Sequence, residues 1–487
     1  MNNKKKFYIS TAIDYVNQPP HAGHAYEKVC ADVIARWHRL RGEDVFFLTG
    51  TDENAQKNEQ AAREAGIPVK KFVKQNSDRF EELCKKLNLS HDDFIRTTEE
   101  RHVKVSLGIF QKLLNNGEIY KGLYEGYYCV GCEAFITEKD LVDGKCPEHG
   151  KRPEWLKEDS YFFRMSKYTD FVAKLLERKG FVLPDYRRVE MLNRVKAEGL
   201  RDLSVSRKNL KWGIPIPNDP ETVLYVWLDA LTNYISALGY PDGERFKKYW
   251  PADIHMIGKG INWFHSVIWP SILKAVGIEM PKSIVVHGYI KLKGEKMSKS
   301  KGIVMDPFEL IDKYSADILR YFFIREIPFG EDGDFSADAL KARINGELVS
   351  DLGNLVNRVL TLTEKNKGVE IVGKPELPLP DFKKINSLMD KLELHHALEE
   401  IFAYIRTANK YINEKEPWKL EGKALGNVLY NLLEGIRMIA ILVDPFMPET
   451  AEKIDRQLGV KAGDFGDLRF KPWKGKPKKG EILFQKV

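Results

Sequence analysis

Five cysteines in 487 residues leave little room for a disulfide framework. The count is odd, and Cys30 and Cys84 fall at or near apolar positions of helical patterns, as inert core thiols do. Long apolar runs are missing too. No stretch approaches the roughly 18 apolar residues of a membrane-spanning helix. The opening Met1-Asn2-Asn3-Lys4-Lys5-Lys6 enters the strand-like Phe7-Tyr8-Ile9 without the apolar stretch of a secretory signal. The expectation is a cytoplasmic enzyme with no membrane contact. Internal repeats are lacking, and the only low-complexity stretch is lysine-rich and C-terminal. A strong charge imbalance is also absent. The net charge is +7, and all but one unit of it lies after Leu468, where seven basic residues (Arg469, Lys471, Lys474, Lys476, Lys478, Lys479 and Lys486) face Glu481 alone. Such a run can contact phosphates, but taken by itself it reads as a solvated tail.

What is present is an ordinary globular composition, 43% apolar and 30% charged, in a chain long enough for several domains. Residues 7–11 read as a strand, followed by a Pro19-Pro20 break. From His21 the pattern turns helical, with Tyr26, Val29, Val33, Ile34, Trp37 and Leu40 on one face and Gly42 as a stop. Val45-Phe46-Phe47-Leu48 is a continuous apolar run of the kind found in buried parallel strands. A further helical stretch ends near Gly66. This order opens a doubly wound, Rossmann-type α/β domain. Between about Tyr120 and Pro217, aromatics, cysteines, Gly and Pro cluster as in an insertion. The α/β rhythm then returns with helix 227–238, strand 253–257, helix 261–276 and strand 283–287. Beyond Ser336 no strand is expected until the last residues, and amphipathic segments over 338–365, 384–414 and 424–443 predict an α-helical bundle. The expected division is therefore 1–119 and 218–295 for the two halves of a parallel sheet, 120–217 for the insertion, 296–337 for a loop and linker, and 338–487 for the bundle with its basic tail.

Three constellations carry chemistry. His21-Ala22-Gly23-His24 places two imidazoles on one face of a helix's first turn, where unpaired N–H groups favour an anion, and Gly23 lets a flat base approach. Lys296-Met297-Ser298-Lys299-Ser300 follows strand 283–287 and the loop 288–295. Two lysines with small hydroxyl residues suit a polyphosphate whose charge grows as pyrophosphate leaves. Cys129-x2-Cys132-x13-Cys146-x2-His149 is the strongest signal from spacing alone: two knuckles offer three thiolates and an imidazole, a closed tetrahedral set for one structural zinc. In the helical part, Asn354 and Arg358 stand at i and i+4, and Trp418 closes another helix. An aromatic platform beside amide and guanidinium groups suits an unstacked RNA base.

These residues resemble those of the class I aminoacyl-tRNA synthetases. His21–His24 is similar to their first motif, with Ala22 where a larger aliphatic is usual, and Lys296–Ser300 matches their second. Over essentially the whole chain the resemblance is to the methionyl-tRNA synthetase family in its single-zinc form. It implies that Asp52, in Thr49-Gly50-Thr51-Asp52-Glu53, pairs with the substrate ammonium. It also implies that Ile13, Tyr15, Trp227, Ala230, Tyr234, Ile261 and His265 line a methionine pocket. Ile13 stands where leucine is frequent, and Leu231 where some members have proline. An aromatic lining suits a polarisable thioether, and one tyrosine hydroxyl or His265 could mark the sulfur with a weak hydrogen bond. By the same resemblance Asn354, Arg358 and Trp418 grip a CAU anticodon. Implied partners are ATP with Mg2+, L-methionine and tRNA(Met), the initiator included, acting on a monomer. Two rivals differ in what they need. A leucyl-type enzyme would need a large editing domain, which the roughly 270 residues between the two motifs cannot hold beside both sheet halves. A catalytically silent RNA-binding relative would not need both nucleotide motifs intact.

Overall fold

The computed structural model describes residues 4–148, 150–208, 210–292, 295–296 and 305–487, with the backbone alone at 292, 295 and 296. A seven-stranded sheet forms the centre, and every pairing in it is parallel. Lys6–Thr11 lies in the middle, with Asp44–Asp52 on one side and Ile254–Gly258 on the other. Asp14–Tyr15 and Asp93–Arg96 both pair with Asp44–Asp52, and Ser283–His287 and Val182–Leu183 continue the opposite wing. Strand order therefore reverses beside Lys6–Thr11, the topological switch point at which such sheets bind ligands. The apolar run at 44–52 forms because that strand is covered on both faces and buried from Val45 onward. Gly50 is required there: a Cβ at this position would lie 2.0 Å from the carbonyl oxygen of Ile95 on the neighbouring strand.

The helix Ala22–Leu40 packs its apolar face on this sheet. Two expected helices are built differently from a plain α-helix. Residues 227–238 form two helices, Val226–Leu231 and Asn233–Ser236. The stretch 261–276 runs from a 3-10 turn through a π-helical segment, Phe264–Ile268, into Trp269–Val276. Pro270 lacks an N–H and crowds the preceding turn, and the Trp269 N–H bonds the Phe264 carbonyl across a widened turn.

The stretch 119–224 holds a four-stranded antiparallel sheet (Ala134–Ile136, Ile119–Cys129, Glu154–Phe163, Leu203–Ser204) and the three-stranded one of Ser206–Lys208, Asp219–Leu224 and Pro215–Ile216, so the inserted sheets run past the expected boundary at 217. One of its strands, Val182–Leu183, crosses back to the edge of the parallel sheet. The expected loop after strand 283–287 contains a strand, Ile290–Leu292, paired with Glu295–Lys296 and Gly333–Phe335.

From Ala337 onward the regular elements among the described residues are all helices, and the last residues form no strand, contrary to the sequence expectation. The segment 338–365 is continuous but widens into a π-helix over Ile344–Gly353, and 384–414 is two helices, Phe382–Asp390 and Leu394–Lys415. Gly422–Val443 is long and apolar enough to cross a membrane, with a mean hydropathy of 1.3 over its best window, yet 94% of that window is buried. It is the bundle's core helix, and its Arg437 and Glu434 pair inside the protein. The basic C-terminal segment is a strap rather than a loose tail. The Lys478 N–H bonds the Gln457 carbonyl, Phe484 is buried, and the backbone of Val487 exchanges two hydrogen bonds with the Asn345 amide.

Where the two halves meet, Arg320 is fully buried. It pairs with Asp32 of the first helix at 2.8 Å and donates to the carbonyls of Leu87, Pro445 and Phe446.

Candidate active site

A cavity of about 690 Å³ opens beyond the carboxyl ends of the central strands at the switch point. Ile13, Tyr15, Asp52, Trp227, Ala230, Tyr234, Ile261 and His265 all line it, and so do His21, Gly23 and His24. The structure thus gathers in one hollow two sets of residues that the sequence places up to about 250 positions apart.

His21 is the N-cap of the first helix. Its Nδ1 accepts from the Gly23 N–H at 3.1 Å, while His24 Nδ1 accepts from the His21 N–H at 3.1 Å. This is a capping box made of two imidazoles, with the rings stacked at 3.7 Å. Because each Nδ1 accepts, the proton of each neutral ring sits on Nε2. Burial holds both pKa values well below the usual histidine range. The pair therefore offers two neutral N–H donors beside a helix N-terminus, not two cations. Asp14 stands behind them, bonded to the buried Lys28.

At the other end of the cavity Trp227 stacks on Phe264 at 3.7 Å and meets Tyr15 edge-on at 6.2 Å. His265 Nδ1 donates to the Ile261 carbonyl at 3.0 Å, so its Nε2 accepts the Tyr234 hydroxyl proton at 2.7 Å. Burial lowers the His265 pKa to about 4, which keeps that ring neutral. The Tyr234 proton is committed to His265. The buried Tyr15 hydroxyl and Trp227 Nε1 have no partner among the described residues. Beside Trp227, Tyr15 thus offers an uncommitted hydroxyl donor. Asp52 is buried, and its pKa is raised first by desolvation and then by the neighbouring Asp229, with Lys57 opposing.

Cys129, Cys132 and Cys146 bring their sulfurs within 4.8 Å of one another, Cys132 and Cys146 at 3.5 Å. Three converging thiols on two tight turns fit a tetrahedral metal such as zinc; His149 lies outside the described residues. Cys129, Val130 and Gly131 also line the cavity, so the knuckle forms part of its wall. Of the second motif, Lys296 lies on the strand Glu295–Lys296 next to cavity-lining Ile290, while Met297, Ser298, Lys299 and Ser300 lie outside the described residues.

In the bundle, Asn354 begins the helix Asn354–Lys365, exposed, with Arg358 one turn on. The Arg358 guanidinium lies 5.9 Å from the Trp418 ring and donates to Asn413. Glu416 has a left-handed backbone (φ 40°) that ends the preceding helix, and Pro417 starts a 3-10 turn that leaves Trp418 55% exposed.

Comparison with known proteins decides the family. The family model for class I tRNA synthetases of the M type matches residues 7–152 and 139–360, and the anticodon binding domain of methionyl tRNA ligase matches 380–471. The methionine–tRNA ligase of Caldanaerobacter subterraneus subsp. tengcongensis is 48% identical, over 99% of this chain and 79% of its own length. That of Brucella suis biovar 1 is 45% identical, over 97% and 96%. The Mycobacterium tuberculosis methionyl-tRNA synthetase in complex with methionyl-adenylate superposes with a TM-score of 0.93 at 40% identity, covering 99% of both chains. The chain belongs to the methionyl-tRNA synthetase family.

Within this member of the family, the sequence reading missed several residues of the cavity and its floor. Phe264 forms the stacked partner of Trp227. The Lys57 ammonium sits 3.1 Å from the centre of the Tyr15 ring and donates to the Gly131 carbonyl at 3.2 Å, joining cavity and knuckle. Burial brings its pKa down to about 8. Glu27 and His287, both lining the cavity, pair at 2.9 Å. In the sequence Lys57, Glu27 and His287 are signalled only as polar residues within otherwise apolar patterns, and Phe264 not at all.

Proposed function

We propose that the cavity binds L-methionine at its aromatic end and ATP at its histidine end, and joins them as methionyl-adenylate. The observation that supports this most directly is the continuity of the two halves: a buried carboxylate and an aromatic cage open into the same hollow as two N–H donors on a helix N-terminus. Asp52 pairs with the substrate ammonium, Ile13 and Trp227, which is backed by Phe264, surround the thioether, and the Tyr15 hydroxyl marks the sulfur. The methionine carboxylate oxygen attacks the α-phosphorus of Mg-ATP in line, and the bond to pyrophosphate breaks. Nε2–H of His21 and His24 donates to phosphate oxygens, and Lys296 and Lys299 meet the charge that builds on the leaving pyrophosphate. No residue needs to act as a general base, because the carboxylate is already ionised; the chemistry is positioning and electrostatics. The terminal ribose hydroxyl of tRNA(Met) then takes the acyl group and AMP leaves.

Asn354, Arg358 and Trp418 read the CAU anticodon, with Trp418 as the stacking platform. Cys129, Cys132, Cys146 and His149 hold one zinc ion, which braces the knuckle against the cavity wall. On this reading 120–217 is the connective insertion, 296–337 the loop and linker, and 338–487 the anticodon-binding unit of a cytoplasmic monomer. ATP–pyrophosphate exchange measured across the amino acids tests the assignment. Exchange with methionine and little with leucine or valine is expected; exchange with another amino acid, or none, would overturn it.

A further inference from the structure

Beneath the cavity floor, Asn54 is held between two buried carboxylates. Its backbone N–H donates to Asp52 Oδ1 at 3.3 Å, and its side-chain amide donates to Asp229 Oδ2 at 2.9 Å and to the Thr97 carbonyl at 3.1 Å. Of the two acids only Asp52 lines the cavity. Asp229 is turned the other way. Its Oδ1 accepts from His102 Nε2 at 2.7 Å and from the Ser106 hydroxyl at 3.3 Å, and His102 Nδ1 pairs with the Ser236 hydroxyl at 2.8 Å. His102 and Asp229 are both fully buried. Burying an imidazole and a carboxylate is costly unless each is paired, and removing one partner strands the other. The reaction as described uses neither.

We propose that His102 and Asn54 are positioning residues for substrate binding: they tie the charge of Asp229 to the far side of the floor, so that Asp52 stays ionised and directed into the cavity. The inference rests on the reading of Asp52 as the ammonium partner. Two neighbouring carboxylates resist carrying two charges, and the second charge is tolerated only where a cation or hydrogen-bond donors hold it. His102, from the helix Glu100–Asn115, and the Asn54 amide supply that hold. Around Asp52 itself the other groups are Lys57 from the helix Gln56–Glu64, Glu133 from the knuckle, Tyr15 from the strand Asp14–Tyr15, and Asn58, whose amide holds the Asp52 carbonyl. Lys57 favours the ionised form, and Glu133 and Asp229 oppose it.

The ammonium pairs with ionised Asp52, so methionine affinity falls as pH drops through the Asp52 pKa. Anything that raises this pKa moves the loss to higher pH. The experiment is methionine affinity as a function of pH, by tryptophan fluorescence or calorimetry, in the full chain and in His102→Gln, Asp229→Asn and the double variant. His102→Gln frees the Asp229 charge and is expected to move the midpoint alkaline by about half a unit or more, a loss of affinity of about threefold on the acid side. Asp229→Asn removes that charge and moves the midpoint the other way, and the double variant follows Asp229→Asn. In ATP–pyrophosphate exchange the changes appear in KM for methionine and not in kcat. A purely structural role would weaken binding at every pH and shift both single variants alike. Shifts of the same sign, or no shift in either, would overturn the inference while leaving the methionine pocket standing. Failure of the unaltered protein to bind methionine at any pH would overturn both.

Discussion

The two candidate sites of this molecule are built on opposite plans. In the cavity the candidate side chains are interior groups held by their neighbours: His21 and His24 cap each other's turn, Tyr234 is tied to His265, and Trp227 is stacked on Phe264, while the Tyr15 hydroxyl and Trp227 Nε1 are left open. At the bundle, Asn354 and Trp418 stand in solvent, and Arg358 is fixed by one bond to Asn413. A small substrate is discriminated by a preorganised, water-poor hollow. A nucleic-acid loop brings its own large flat surfaces and needs a platform that is reachable. Both sites nevertheless share one backbone device. A π-helical segment, Phe264–Ile268, carries Phe264 and His265, and another, Ile344–Gly353, leads directly into Asn354. Such widened turns are frequent at functional sites because they re-aim side chains that a regular helix would point elsewhere.

The comparison breaks first at Asp52. Asp52→Asn keeps the shape and removes the charge, and is expected to cost about 3 kcal/mol, about a hundredfold in kcat/KM for methionine in ATP–pyrophosphate exchange. An effect below tenfold would mean that the ammonium is held elsewhere.

Next is the knuckle. One zinc per chain is expected by elemental analysis, and Cys146→Ser should lose it, with increased proteolytic cleavage within 120–217. Because the Gly131 carbonyl holds Lys57 against Tyr15, methionine binding should weaken as well, though less than for Asp52→Asn.

Trp418→Ala should leave exchange nearly intact and reduce transfer of methionine to tRNA by one to two powers of ten, the cost of one lost stacking platform at about 1–3 kcal/mol. Abolished exchange would show that the two plans are not separate.

The smallest expected effect sharpens the cavity itself. Phe264→Leu keeps apolar packing behind Trp227 and removes the aromatic stack, about 0.5–1.5 kcal/mol, read as a several-fold rise in KM for methionine with adenylation at saturation little changed. A pH profile complements it. Burial keeps His265, with a pKa of about 4, and the two capping histidines neutral near pH 7, so a loss of methionine affinity as pH falls should trace to protonation of Asp52, whose pKa burial and Asp229 raise, whereas Lys57, with a pKa of about 8, loses its charge as pH rises. A profile unchanged in Asp52→Asn would contradict that.

Much of this was legible from the chain alone. Val45–Leu48 announces a strand covered on both faces, and the Cys-x2-Cys and Cys-x2-His pairs announce a metal knuckle. The two sheet halves and the helical bundle follow from periodicity. What stayed hidden needs juxtaposition rather than pattern. His102 and Asp229 are 127 positions apart, and neither carries a local signature. Phe264 reads as one more core aromatic. The break of 384–414 at Leu392, with φ 61°, is a non-glycine left-handed residue that propensity does not anticipate. The basic C-terminal run looked solvated because lysines dominate its composition. Its anchoring comes from the sparse apolar residues between them, Phe484 above all, and from backbone bonds to Gln457 and Asn345.

The buried Arg320 junction has a mechanical meaning. Its guanidinium grips Asp32 of the first helix on one side and the turn at Pro445 and Phe446, where the bundle's core helix ends, on the other. Asp32 lies eight residues beyond His24 on the same helix, about 12 Å along its axis at 1.5 Å per residue. The first helix is thus a lever with the capping histidines of the cavity at one end and a clamp to the helical bundle partway along it. A displacement of the bundle that keeps the clamp closed must tilt or slide this rod, and the imidazole pair that caps it travels with it.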